Sequence, residues 1–168
     1  RVVEDPIGFA DLAPTILEIT KSESGDMMPI SGKSFLKVLQ SNEEGQVDPE
    51  RKYAFSGRER HSSSRYMNWC YPQKIISDGN YVFTWNVKPE RWPAGAPQKF
   101  DPKDTTTLLP MYGLDDDGNY ISDAAFMDID DCPTKTFIIE NYKDPEVKPF
   151  FKLAHGKRPE FEFFDVNK

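Results

Sequence analysis

Two histidines and two cysteines are all this 168-residue chain has of the side chains that most often bind metals or pair as nucleophile and base near neutral pH. Cys70 and Cys132 have neither the spacing nor the histidine partners of a zinc site. No serine stands in a strained strand-to-helix elbow, and no carboxylate–histidine group has metal-ligand spacing. Catalysis by this chain alone is therefore not expected. Apolar runs are short: none approaches the roughly 20 residues of a membrane-spanning helix, and no signal-peptide pattern heads the sequence. Positive charge is scarce too, with 21 Lys and Arg against 28 Asp and Glu, a net charge of −7 and a pI near 4.9. That balance argues against non-specific nucleic-acid binding, which needs a basic face. The length fits one domain or a piece of one, and both ends are expected to be cuts.

The most informative stretch runs from Tyr53 to Asn86. Tyr53-Ala54-Phe55 predicts a short strand that feeds Gly57 and then Arg58, Glu59, Arg60 and His61. Ile75-Ile76 and Tyr81-Val82-Phe83-Thr84-Trp85 are β-branched or aromatic, and the Asp78-Gly79 between them is a strong hairpin signal. Gly57 is expected to let the backbone turn, so that the charged residues emerge from the sheet's end. In an extended chain Arg58 and Arg60 share one face and Glu59 takes the other. Two guanidiniums and an imidazole, with Arg65 close by in sequence, suit a planar anion such as a carboxylate or sulfate. A surface ion-pair group with Glu59 and Glu50 is the plainer alternative.

Elsewhere, residues 11–20 predict a helix, with Asp11 as its cap, Pro14 in the first turn and Leu12, Ile16 and Ile19 on one face. A second short amphipathic helix comes after Ser31-Gly32-Lys33-Ser34. That tetrapeptide is no phosphate loop, since Met27 stands where the motif needs its first glycine. Residues 41–52 predict a solvated linker and residues 98–132 a polar, irregular stretch. Within the latter, Asp115-Asp116-Asp117-Gly118-Asn119 fails the EF-hand pattern, with Gly113 at its first ligand position and Ala124 at its last, and reads as a solvated turn. Residues 133–143 predict a short helix or strand, and Pro145 to Ala154 a helix closed by His155-Gly156, with His155 facing the helix dipole. Glu160 to Phe164 predict a last strand. The two cysteines either pair in an oxidising compartment or stay free and partly buried. Short strands and helices without βαβ alternation make the fold class α+β.

Several segments together resemble the C-terminal part of a type I sulfatase of the alkaline phosphatase superfamily. Asp11-Leu12-Ala13-Pro14-Thr15-Ile16-Leu17 is similar to the family's D-L-A-P-T-[IVL]-L helix, and Ser31-Gly32-Lys33-Ser34-Phe35-Leu36 to its G-K-S-[FL]-L segment. Gly57-Arg58-Glu59-Arg60-His61, Tyr71-Pro72-Gln73, Pro89-Glu90-Arg91-Trp92-Pro93-Ala94-Gly95 and Lys157-Arg158-Pro159-Glu160 resemble a subgroup common among bacterial glycan sulfatases. The chain departs from that pattern at Lys74, Ser77 and Trp85, where relatives commonly carry arginine, and at Phe161 in place of a glutamate.

The resemblance implies a tail of the large sulfatase α/β domain over residues 1–40 and a C-terminal subdomain over residues 41–168, truncated at its end. The subdomain is expected to be a small four-stranded antiparallel sheet packed against a C-terminal helix. Sulfatases attack with a hydrated formylglycine, made from the Cys or Ser of C/S-x-P-S/A-R, and use calcium to polarise the sulfate. Cys70-Tyr71-Pro72 and Cys132-Pro133-Thr134 do not fit that motif, so nucleophile and calcium are expected in the parent's N-terminal catalytic domain, this chain's implied partner. What the resemblance leaves to this chain is substrate binding, by Arg58, Arg60, His61 and Arg65, in a periplasmic or secreted enzyme acting on a sulfated saccharide. The alternative is a non-catalytic carbohydrate-binding or structural module.

Overall fold

The computed structural model describes residues 1–59, 65, 68–96, 103 and 113–168. The fold is α+β: among the described residues there are four short helices, α1 to α4, and a four-stranded antiparallel sheet in the order β1-β2-β3-β4. The chain separates into two compact units, one formed by Arg1–Gly57, Lys74–Trp85 and Phe161–Lys168, the other by Arg58–Gln73 and Asn86–Glu160.

In the first unit a single 3-10 turn, Phe9–Asp11, leads into α1 (Leu12–Thr20). The helix stops at Lys21 in left-handed conformation, where Lys21 N–H bonds Glu18 O at 3.2 Å and Ser22 N–H bonds Leu17 O at 3.0 Å. Asp11 does not cap α1 with its side chain; its carboxylate accepts instead from Gly8 N at 3.1 Å and Lys33 N at 2.8 Å. The helix is amphipathic in the expected register, with its apolar face outward. Leu12, Ile16 and Ile19 are exposed, while polar Thr15 is 3% exposed. The core of this unit is formed by Phe35, Val38 of α2 (Leu36–Gln40) and Val47, with Val3 packed on them.

Val47 and the 7%-exposed Arg51 correct the expectation of a solvated linker over 41–52. The polar composition of that stretch conceals one apolar anchor and one internal cation. Arg51 donates to Asp11 Oδ2 at 2.9 Å, Lys33 O at 2.6 Å and Ser34 O at 2.7 Å, and its Nε lies 3.7 Å from Asp48 Oδ2.

The hairpin matches the sequence closely. β2 (Gln73–Ser77) and β3 (Tyr81–Asn86) flank a turn in which Asp78 Oδ1 accepts from Asn80 N and Tyr81 N, and Gly79 takes φ +92°. β1 (Ala54–Arg58) precedes it, and β4 (Phe161–Asp165) pairs with β3 in the register Tyr81↔Asp165 to Trp85↔Phe161. Same-face aromatics stack across this pair, Tyr81 on Phe163 at 5.2 Å and Phe83 on Phe161 at 5.8 Å.

In the second unit, α3 (Pro133–Glu140) settles the helix-or-strand choice as helix, with Pro133 in its first turn. The Cys132 Sγ accepts from Lys135 N at 3.4 Å. α4 (Lys148–His155) starts three residues later than expected from Pro145, because Asp144 O accepts both Val147 N and Lys148 N in a preceding turn. The core gathers Ala94, Ala125, Phe126, Ile139 and Phe151. Two of these belong to the segment expected to be polar and irregular, and Phe126 is completely buried at a left-handed φ of +55°. A lone aromatic in the short apolar run Ala124–Met127, bounded by aspartates, carries no periodic signal, which is why this centre escapes a sequence reading. Asp115–Asn119 is the expected turn, closed by Asp115 Oδ1 on Asp117 N and Asn119 N. Both cysteines are free, Cys70 half-buried and Cys132 exposed.

Candidate functional site

Of the four expected anion-binding residues, Arg58 and Arg65 are described, and they are placed differently. Arg58 is the last residue of β1, half-buried, and its Nη2 reaches Gln73 Oε1 at 3.4 Å. Gln73 donates in turn to Asn86 Oδ1 at 2.8 Å, and fully buried Asn86 donates through Nδ2 to Pro159 O at 2.8 Å and through its backbone to Glu160 O at 2.7 Å. Arg58 thus sits at the outer end of a relay of amides that fixes the chain before β4. Gly57, expected to turn the backbone, is instead an extended residue inside β1, without positive φ. Arg60 and His61 lie outside the described residues.

Arg65 faces inward. Its side chain is 5% exposed, and its guanidinium donates to Asp128 Oδ2 through Nε at 3.0 Å and Nη2 at 2.5 Å, to Trp92 O at 2.8 Å, and to Pro93 O. The cation also lies over the Tyr71 ring, 5.8 Å from its centre. A guanidinium saturated in this way pins the Trp92–Pro93 turn to Asp128; it does not present an open fork to a ligand. The expectation that Arg65 contacts substrate conflicts with that placement. Sequence proximity to Arg58 and Arg60 is its only basis, and the buried partner, Asp128, stands 63 positions away.

Two further polar groups have no counterpart in the sequence reading. The first surrounds Asp5 and Asp11. Burial raises the Asp5 carboxyl, but the N–H groups of Val47 at 2.8 Å and Asp48 at 2.6 Å outweigh it and hold the carboxyl below its ordinary range. Asp11 behaves alike: burial works upward, and Lys33 N, Gly8 N and Arg51 bring it down. The second is the pair His155 and Lys135, respectively 1% and 3% exposed. His155 does close α4, as expected, but burial lowers its basicity, so the ring is held neutral and is not a cationic dipole partner. Scattered single titratable residues have no spacing pattern by which either group could be found.

Among the described residues no group of three or more His, Cys, Asp or Glu side chains could hold a metal. No described helix is long and apolar enough to cross a membrane. The first unit has a groove of about 510 Å³ lined by apolar Ile7, Phe9, Leu12, Phe55 and Ile75, which suits burial of an apolar surface better than recognition of an anion. Against family models, characterised proteins and solved structures, the chain matches none.

Proposed function

We propose that this chain is the C-terminal part of a formylglycine-dependent sulfatase acting on a sulfated saccharide, contributing fold and substrate binding while the N-terminal catalytic domain supplies the chemistry. The observation that supports the reading is the interlock of the two segments that resemble motifs general to the family. Asp11 Oδ1 accepts Lys33 N at 2.8 Å, Thr15 Oγ1 accepts Phe35 N at 3.0 Å, and Arg51 bonds Asp11, Lys33 and Ser34 together. The resemblance thus falls on side chains that determine how two distant segments dock, not on surface positions of no consequence. The outward apolar face of Leu12, Ile16 and Ile19 supports it further, since a large exposed apolar patch marks a surface that another protein surface covers.

On this reading the family's chemistry lies in the parent's catalytic domain, since neither Cys70 nor Cys132 stands in the formylglycine motif. Calcium and nucleophile are assigned to the parent, and no step of the ester hydrolysis to this chain. Arg58, with Arg60 and His61 beyond it, remains the proposed saccharide-binding group, in a periplasmic or secreted enzyme. The test is to express the full reading frame and assay it with a sulfated oligosaccharide. Calcium-dependent release of sulfate, lost when the Cys or Ser of an upstream C/S-x-P-S/A-R is replaced by Ala, is the expected result. A parent without that motif would leave a non-catalytic module in its place.

A further inference from the structure

His155 presents a physical problem that its place at a helix end does not explain. Its ring is sandwiched 5.1 Å from Phe151, nearly parallel at 19°, and 4.7 Å from Phe126. Neither ring nitrogen has a hydrogen-bond partner. Buried polar groups are nearly always bonded, and leaving one unmet is destabilising.

The charges around it make protonation more costly still. From α3, Lys135 extends its Nζ to Ile129 O at 3.0 Å and to Asp131 at 2.7 Å. The segment carrying Phe126 contributes Asp128, already held by Arg65. On α4 itself the charged residues Lys148 and Lys152 are exposed and positive. Asp128 and Asp131 are therefore both engaged by cations, and Glu140 at the far end of α3 is exposed. Burial first, and then the Lys135 charge, keep the imidazole neutral; the Phe151 carbonyl one turn back works the other way without a well-formed hydrogen bond.

Beyond His155 the chain is tightly held. A Cβ at Gly156 would lie 2.5 Å from Lys152 O, so the backbone turns hard against α4 there. Arg158 then donates back to Leu153 O, Lys157 sits over the Trp92 ring, and Asn86 grips Pro159 and Glu160.

We propose that His155 is an acid-sensitive latch: neutral, it seats the end of α4 in the Phe126–Phe151 cluster, and protonated, it releases α4 with the strap over residues 156–160. The latch does not depend on the sulfatase reading. An open form takes up a proton at pH values where the closed form does not. Opening therefore becomes easier as pH falls below the ordinary imidazole value of about 6.5, by up to about tenfold per pH unit, until the closed form also protonates.

Hydrogen exchange of the full chain between pH 7.5 and 5, corrected for intrinsic rates, tests this. Peptides covering residues 148–160 should lose protection below about pH 6.5 by up to about tenfold per unit. His155→Phe, which keeps the aromatic volume, should flatten that dependence. Lys135→Met should narrow the window, because the closed form then protonates at higher pH. Should His155→Phe fail to fold, the wild-type ring titration by NMR decides, with His61→Gln assigning the two histidine signals. A neutral His155 ring at pH 6 in the closed form supports the latch. A ring that titrates near 6.5 while α4 stays protected overturns it, as does an unchanged pH slope in a folded His155→Phe variant.

Discussion

Thr15 and Phe35 are joined by one hydrogen bond, from the Phe35 backbone N–H to the Thr15 hydroxyl at 3.0 Å, and the same hydroxyl donates to Asp11 O at 2.6 Å. A threonine in the middle of an apolar helix is thereby the residue that faces the core, while its isoleucine neighbours face out. The hydroxyl gives the N–H that enters α2 a partner in a place water does not reach. Thr15→Val keeps the shape and removes both bonds. It should destabilise the chain by about 1–3 kcal/mol, the cost of a buried unmet donor, whereas Thr15→Ser should cost less. Urea unfolding of the three proteins measures the difference.

Gly32 answers to sterics alone. A Cβ there would lie 2.0 Å from Ala10 O and 2.4 Å from Ala10 C, both backbone atoms that cannot swing aside. Gly32→Ala should therefore push the Lys33–Phe35 segment off α1 and cost at least about 1–3 kcal/mol. Its heat melt should broaden or drop well below that of the parent chain. A melt unchanged within error would mean the two segments are not docked as described.

The hairpin was legible because Asp78-Gly79 between β-branched and aromatic runs has few other uses, and the helices because their periodicity is local. That Thr15 is the side chain of α1 facing the core was not legible. Periodicity locates an apolar face but does not say what covers it, and here Thr15 takes the core side through a bond to a residue 20 positions away. The same limit hid Arg51 and Val47 within a polar stretch and Phe126 within an irregular one. At the candidate site, proximity in sequence grouped Arg65 with Arg58, but burial and the partner Asp128 separate their roles.

At lower pH than the His155 latch, acid should act through carboxylates clamped by backbone. Asp5 and Asp11 are both held below the usual aspartate value near 3.9. A depressed native value stabilises above the unfolded value, and that contribution is lost as pH falls through the native one. Stability from these two groups should thus be full above about pH 5 and decline below about pH 4. Asp5→Asn should shrink this acid-limb slope while costing about 1.5–3 kcal/mol at pH 7. A slope identical to wild type would mean Asp5 is not clamped by Val47 and Asp48.

The exposed apolar surface makes a prediction of opposite sign to ordinary core mutagenesis. Ile16 and Ile19 are 57% and 54% exposed. Replacing both by Glu should change the stability of the chain by no more than about 0.5 kcal/mol each, where burial would have cost about 2–5 kcal/mol. Hydrophobic-dye binding and self-association, expected of the unmodified chain, should fall in the same variant. A large loss of stability would place these side chains in contact with the rest of the chain.

Arginine variants in the full-length parent separate support from recognition. Arg65→Ala removes the guanidinium from the carboxylate of Asp128, 2% exposed, and from the Trp92 and Pro93 carbonyls, which should destabilise by about 3–5 kcal/mol. Its effect on kcat/KM, where folded protein is recovered, should be equal for a sulfated saccharide and a small aryl sulfate. Arg60→Ala and His61→Ala should behave differently under the proposed function. A charge-assisted hydrogen bond to a sugar is worth about 1.5–3 kcal/mol, so saccharide kcat/KM should drop about tenfold to a hundredfold. The aryl reaction, which offers no sugar to hold, should stay within about threefold, because the nucleophile in the other domain is untouched. Equal losses on both substrates would move Arg60 and His61 into the supporting class of Arg65. No loss on either would return them to a surface ion-pair group with Glu59 and Glu50, and with it the saccharide-binding reading would fail.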